Sequence, residues 1–166
     1  NRESCLPEHL VADAIEGCGA LAERGGVALA RQTVPVPPIR ADGRRMRQAL
    51  KSLCLNAIAA SPRGATVSLS LDWDPMERLV NFTIRDSGRG LSREELQNAS
   101  ELFEQLEDPM TRRRQGLGIG LPLCRHIVEL HGGKLTFKSV PGVGTEAIIP
   151  LPVPPVDAKA AGDGGA

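Results

Sequence analysis

A chain of 166 residues with 20 acidic and 20 basic side chains has room for one domain with a real core and not comfortably for two. Its formal net charge of zero gives no electrostatic case for nucleic acid or anionic lipid as the main partner. The aromatics are only Trp73, Phe82, Phe103 and Phe137, which asks for an aliphatic core and leaves little for base stacking.

No apolar run approaches the roughly 18 residues of a membrane-spanning helix, and no signal-peptide pattern opens the chain. Cys5, Cys18, Cys54 and Cys124 lack metal-site spacing. Cys18, Cys54 and Cys124 fall within apolar helical patterns, so they read as reduced core residues of a cytoplasmic protein. The first helix is predicted from about Pro7 to Arg24. Val11, Ala14, Ile15, Cys18, Leu21 and Ala22 recur at helical spacing, Pro7 suits a first turn, and Gly25-Gly26 stops it. Val27 to Ala30 reads as a short strand and Val34 to Pro38 as an extended connector. Asp42 is placed to cap a second helix over Gly43 to Ala60, ended by Ser61-Pro62-Arg63-Gly64.

Thr66 to Trp73 alternates as a strand with Val67, Leu69 and Leu71 on one face. Asp74 to Glu77 turns it into a second strand over Leu79 to Arg85. Ser92-Arg93-Glu94-Glu95 has the form of a capping box before a short helix. Glu104 to Gly116 is a polar loop, and Gly118 to Leu130 is the third long helix, ended by Gly132-Gly133. Lys134 to Val140 and Thr145 to Leu151 make a closing hairpin around Pro141 to Gly144. The Pro-, Ala- and Gly-rich tail from 152 to 166 has nothing to bury and is expected to be disordered. Helices mixed with hairpin strands predict an α+β fold, with helices on one face of a mainly antiparallel sheet.

Three stretches have residue types suited to chemistry. On the second helix Met46, Leu50, Leu53 and Ala57 centre an apolar stripe, and Asn56 lies at its edge, about 90° round by the helical period. Its amide oxygen is a hard ligand suited to Mg²⁺, and equally a border side chain that meets water. Asp86-Ser87-Gly88-Arg89-Gly90 follows a strand directly. It offers a carboxylate beside open backbone, able to accept from an amino group such as that of adenine, or it is an ordinary turn. In Gly116-Leu117-Gly118-Ile119-Gly120-Leu121-Pro122 alternate glycines open onto a helix start. That arrangement suits an anion, or a flexible hinge.

Taken in order, these stretches resemble the catalytic and ATP-binding domain of bacterial sensor histidine kinases, in the superfamily shared with gyrase, the Hsp90 chaperone and MutL. The resemblance covers roughly residues 6 to 151. It rests on Leu53-Cys54-Leu55-Asn56-Ala57 (N box), Asp86 to Gly90 (first glycine box), Glu101-Leu102-Phe103-Glu104 (F box), Gly116 to Leu121 (second glycine box) and Gly142-Val143-Gly144-Thr145. It implies a two-layer α/β sandwich of the Bergerat type over residues 1 to 151, with a mixed, mostly antiparallel sheet covered on one face by three main helices.

The resemblance also implies roles. Asn56 would ligate Mg²⁺ bridging the phosphates of ATP. Asp86 would bond the adenine amino group, supported by Thr145 directly or through water. Gly88 and Gly90 would let the base lie against the backbone. Phe103 would anchor a lid over 104 to 116, from which Arg112, Arg113 or Arg114 would reach phosphate. Gly116, Gly118, Gly120 and Leu121 would receive the triphosphate. The catalytic positions implied are Asn56 and, one turn earlier, Ser52. The implied activity is transfer of the γ-phosphate to a histidine on a separate dimerisation domain of the same parent protein, with a response regulator receiver domain downstream.

The sequence departs from the family at three places. Ser52 stands where the kinases often have Asn, and where the superfamily's ATP hydrolases carry a Glu base. Ala59 and Ala60 stand where a basic and an aromatic residue are usual. Ser52 disfavours a water-activating ATPase, and all three leave open a degenerate nucleotide-binding regulatory module without kinase activity. None of His9, His126 and His131 is followed by the acidic residue of a phosphoacceptor, and all three read as structural. The chain opens on Asn1 rather than Met, so the phosphoacceptor hairpin is expected to precede it in a longer parent, membrane-anchored or not, and the isolated domain to be a monomer.

Overall fold

A computed structural model describes residues 1–98 and 120–155. In chain order the elements are β1 (Glu3–Cys5), α1 (Pro7–Gly25), β2 (Ala28–Thr33), β3 (Ile39–Ala41), α2 (Gly43–Ala60), β4 (Thr66–Asp74), β5 (Leu79–Arg85), α3 (Gly120–Leu130), β6 (Thr136–Val140) and β7 (Gly144–Pro152). Residues 93–98 form a further helical segment.

Period-two alternation organises the main sheet. Val67, Leu69 and Leu71 of β4, Val80, Phe82 and Ile84 of β5, and Ala147, Ile149 and Leu151 of β7 are buried. These inward rows meet the apolar stripes of the helices: Leu10, Val11, Ala14, Cys18 and Ala22 of α1, Met46, Ala49, Leu50, Leu53, Cys54, Ala57 and Ile58 of α2, and Cys124, Ile127 and Val128 of α3. The helix α2 lies in the middle, packed against α1, α3, β4 and β5. The sheet order is β2-β4-β5-β7-β6. Only β2–β4 is parallel; the other neighbours are antiparallel. This is the two-layer α+β sandwich that the sequence predicts, with a mixed sheet under three main helices.

The expected local signals form. Asp42 Oδ1 accepts the Arg45 N–H at 3.2 Å and caps α2. That N–H, with help from the N-terminal ammonium, holds the Asp42 carboxyl below the usual carboxylate range. The cap's contribution is therefore complete above the unfolded carboxyl's value of about 4 and is lost as pH falls through the lower folded value. Ser92 and Glu95 make the reciprocal capping box, Glu95 N–H to Ser92 Oγ at 3.1 Å and Ser92 N–H to Glu95 Oε2 at 3.3 Å. The Asp74 carboxylate closes the β4–β5 turn by accepting from the Met76 and Glu77 N–H groups. All four cysteines are free thiols, three of them buried.

Three features differ from the expectation. β2 runs on to Thr33 as a parallel edge strand beside β4, through polar, exposed Arg31-Gln32-Thr33 that carry no inward alternation. The three-residue strands β1 and β3 pair with one another in a small antiparallel sheet. Order also extends past 151: β7 includes Pro152, and Val153 is buried, with its N–H donating to the Arg78 carbonyl at 2.9 Å. The tail from 156 to 166 lies outside the described residues.

His131 has the structural part expected of it. It is buried just past the end of α3. Its Nε2 accepts the Asp42 N–H at 2.9 Å, and its Nδ1 donates to the Ile127 carbonyl at 2.6 Å. A peptide N–H only donates and a carbonyl only accepts, so the ring proton sits on Nδ1. One imidazole thus ties the end of α3 to the start of α2. His131→Leu keeps the bulk and orphans the Asp42 N–H; urea unfolding should register a loss of about 1–3 kcal/mol.

Candidate functional site

The inward row of β5 does not stop at its last apolar residue. Continuing the alternation Val80, Phe82, Ile84 puts Asp86 at the next inward position, where it is 8% exposed. A buried carboxyl needs partners. Asp86 Oδ1 accepts two backbone N–H groups, from Gly88 at 2.9 Å and from Thr145 at 3.1 Å. Oδ2 has no hydrogen-bond partner among the described residues, and Asp86 lines a cavity of about 1230 Å³. An acceptor oriented by its twin oxygen is therefore left available to a donor in that cavity.

The cavity lies between the C-terminal half of α2 and the ends of β5 and β7. Leu53, Ala57, Ile84, Leu121, Phe137 and Ala147 give it apolar walls, while Asn56, Asp86 and Thr145 supply polar groups. Asn56 is half-buried at the border of the α2 stripe, and its Nδ2 is buried with no hydrogen-bond partner among the described residues. An amide with one buried end unpaired at a cavity wall invites an explanation. A ligand that the amide contacts is one that the geometry accommodates. No cluster of three or more His, Cys, Asp or Glu suited to a metal occurs among the described residues. Among the described residues Asn56 offers a neutral amide oxygen at the cavity wall rather than part of a carboxylate cluster. That fits Mg²⁺, which commonly keeps substrate phosphates and waters beside one or two protein ligands.

Gly88 and Gly90 line the cavity, but the backbone they admit is the protein's own. A Cβ on Gly88 would fall 2.6 Å from the Ala60 carbonyl oxygen. Gly90 has φ +68°, and a Cβ there would collide with the Val140 carbonyl. The Gly142 N–H donates to the Arg89 carbonyl at 2.7 Å, so the β6–β7 turn is docked on the loop that carries Asp86. These glycines make the close docking of loop, turn and helix end possible.

Ser52 and Gly120 come together, but not on the cavity. Neither is among its lining residues. A Cβ on Gly120 would lie 2.9 Å from Ser52 Cβ and Oγ, so Gly120 is the point where α3 begins against α2. The Cys124 thiol donates to the Ala49 carbonyl at 3.4 Å, and burial pushes that thiol up to about 11. Leu121, next along, does line the cavity. Phe103, Arg112, Arg113, Arg114, Gly116 and Gly118 lie outside the described residues.

Sequence reasoning missed Leu91, Phe137 and Ala147 as lining residues. It also missed Ser139, whose Oγ accepts the Leu91 N–H at 2.7 Å and lies 2.7 Å from Thr145 Oγ1. Strand alternation puts Phe137 and Ser139 on one face of β6, which was the available signal.

Residues 41–155 match the model of the histidine kinase-, DNA gyrase B- and HSP90-like ATPases. The chain is similar to the non-motile and phage-resistance protein of Caulobacter vibrioides, 34% identical over 95% of this chain and 19% of that protein. It is also similar to an uncharacterized sensor-like histidine kinase of Rhizobium meliloti, 35% identical over 90% of this chain and 29% of that one. The chain thus spans less than a third of either curated relative. Among solved structures, the nucleotide-free catalytic domain of histidine kinase ThkA shares the fold, with a TM-score of 0.75 at 19% identity, over 92% of this chain and 97% of that domain. With a buried carboxyl at the end of β5, an amide on α2 whose Nδ2 is unpaired among the described residues, and these likenesses, the chain belongs to the histidine kinase-, DNA gyrase B- and HSP90-like ATPase family, in the form carried by sensor histidine kinases.

Proposed function

We propose that the cavity binds Mg·ATP and that the chain presents its γ-phosphate to a histidine on a separate domain of the parent sensor kinase. The observation that carries this reading is the Asp86 carboxyl, with Oδ1 committed to two backbone N–H groups and Oδ2 left open in an apolar cavity. An acceptor at the cavity wall with no donor among the described residues favours a ligand that brings an N–H, and the 6-amino group of adenine is such a donor. The apolar walls at Ile84, Leu91, Phe137 and Ala147 suit the faces of a flat ring.

Asn56, one wall away on α2, is the residue that would hold Mg²⁺ through its amide oxygen. The ion would neutralise phosphate charge as the γ-phosphoryl moves from ATP to the accepting imidazole nitrogen, leaving ADP. The chain's own part is positioning: Asp86 fixes the ring, the apolar walls exclude water, and Asn56 aligns the phosphates. The close approach of Gly120 to Ser52 supports a positioning role for Ser52 at the α2–α3 junction and gives no support to a general-base role.

Asn56→Ala is expected to abolish the Mg²⁺ dependence of binding a fluorescent ATP analogue; an unchanged dependence removes Asn56 as ligand. For the transfer step, the parent protein incubated with γ-labelled ATP should acquire acid-labile, base-stable label on a histidine. ATP binding with no label on any histidine would instead establish the degenerate regulatory module that Ser52, Ala59 and Ala60 left open.

A further inference from the structure

We infer that Ser139 is a positioning residue for the purine, holding the Thr145 hydroxyl as the group that meets ring nitrogen N1 beside the amino group read by Asp86. The inference rests on the nucleotide reading of the cavity and adds to it a residue that does not touch the ligand.

Ser139 is half-buried on β6 and is not among the lining residues. Its Oγ nevertheless joins two residues that are. It accepts the Leu91 N–H at 2.7 Å and lies 2.7 Å from Thr145 Oγ1, with the Gly144 carbonyl oxygen at 3.2 Å. Leu91 comes from the loop after β5 and Thr145 from β7, so one oxygen fixes both sides of the cavity's Asp86 end. Thr145 is also held beside Asp86 through its own N–H, 3.1 Å from Oδ1. Asp86 and Thr145 line the same cavity; the ring nitrogen next to the amino group is the acceptor assigned to Thr145.

Counting protons gives the pair its function. A serine hydroxyl has one proton and two acceptor positions. The Leu91 N–H uses one acceptor position. If Ser139 donates to the Gly144 carbonyl, Thr145 must donate to Ser139, and its own proton is consumed. If Ser139 donates to Thr145 Oγ1, the Thr145 proton is free for an acceptor in the cavity. Only the long 3.2 Å bond is given up in that change, because the 2.7 Å contact is a hydrogen bond in either direction. Adenine N1 is an acceptor, so it draws the pair into the second arrangement, directly or through one water. Alanine at 139 leaves the Thr145 proton free but removes the contact that fixes the Thr145 rotamer, so the hydroxyl is no longer held toward N1.

The test is a comparison of ATP with 1-deaza-ATP, in which N1 is replaced by C–H and the 6-amino group is kept. Titrations use the chain with Mg²⁺ and the variants Ser139→Ala and Ser139→Thr. The unchanged chain should bind ATP about tenfold more tightly than the analogue, the value of one ligand hydrogen bond. Ser139→Ala should bring that ratio close to one, while Ser139→Thr, which keeps the hydroxyl, should restore it. If Ser139→Ala proves unfolded by circular dichroism, Ser139→Cys takes its place with the same expected collapse of the ratio. A purely structural Ser139 weakens both nucleotides equally and leaves the ratio unchanged; that result overturns the inference while ATP binding stands. A ratio near one in the unchanged chain does the same. Failure of the unchanged chain to bind either nucleotide overturns the ATP reading as well.

Discussion

Asp86→Asn should weaken ATP binding by about 30-fold while leaving the chain folded, the loss expected for one charge-assisted hydrogen bond in a buried site. The asymmetry of the carboxyl is the reason. Its Oδ1 is occupied by the Gly88 and Thr145 N–H groups, and an asparagine oxygen can accept both of those bonds. The amide NH₂ then replaces Oδ2, and a donor faces the donor of adenine. The same change should improve inosine triphosphate, whose 6-oxo group accepts where adenine donates. Binding of inorganic triphosphate should barely move. Fluorescence or calorimetric titration of the three ligands checks the pattern. Equal weakening of all three would show that Asp86 supports the loop and does not read the base.

Gly144→Ala should be among the most damaging single-methyl changes, costing about 3 kcal/mol by urea unfolding, with ATP binding lost along with stability. Gly144 has φ +146°, and a Cβ there would collide with the Asp86 carbonyl oxygen and lie 3.0 Å from its carbon. Neither is the far end of a flexible side chain; both are backbone of the residue that the site depends on. Relief would have to separate β7 from the end of β5, where the Asp86 N–H donates to the Thr145 carbonyl at 3.0 Å. Gly142 is a useful control. It also has positive φ, +77°, but a Cβ there meets nothing within 4 Å, so Gly142→Ala should cost only the roughly 1–2 kcal/mol of a left-handed backbone.

Local signals were the legible ones. Asp42, Ser92 with Glu95, and Asp74 form the caps and turn expected of them, because such bonds close over two or three residues. The inward rows of β4, β5 and β7 and the stripe of α2 follow from periodicity alone. Asp86 and Asn56 were readable for the same reason: each sits where a regular pattern meets a polar residue, at the end of one row and the edge of one stripe. What stayed hidden depends on distant segments arriving at one place. The partner of His131 is 89 positions away, at Asp42. The partners of Ser139 come from Leu91 and from the start of β7. The parallel β2–β4 pairing needs the whole α2 crossover between its strands. The glycine boxes were legible as places that need glycine. What approaches them was not: at Gly88, Gly90 and Gly120 the neighbour is Ala60, Val140 or Ser52.

The central claim is that this cavity holds an adenine triphosphate, its base read by Asp86 and its phosphates aligned through Asn56. Isothermal titration of the folded chain with ATP in the presence of Mg²⁺ tests it most directly. One saturable site is predicted, with GTP giving no comparable heat under the same conditions. A folded chain that releases or absorbs no heat at millimolar ATP with Mg²⁺, or that takes GTP equally well, would contradict the account.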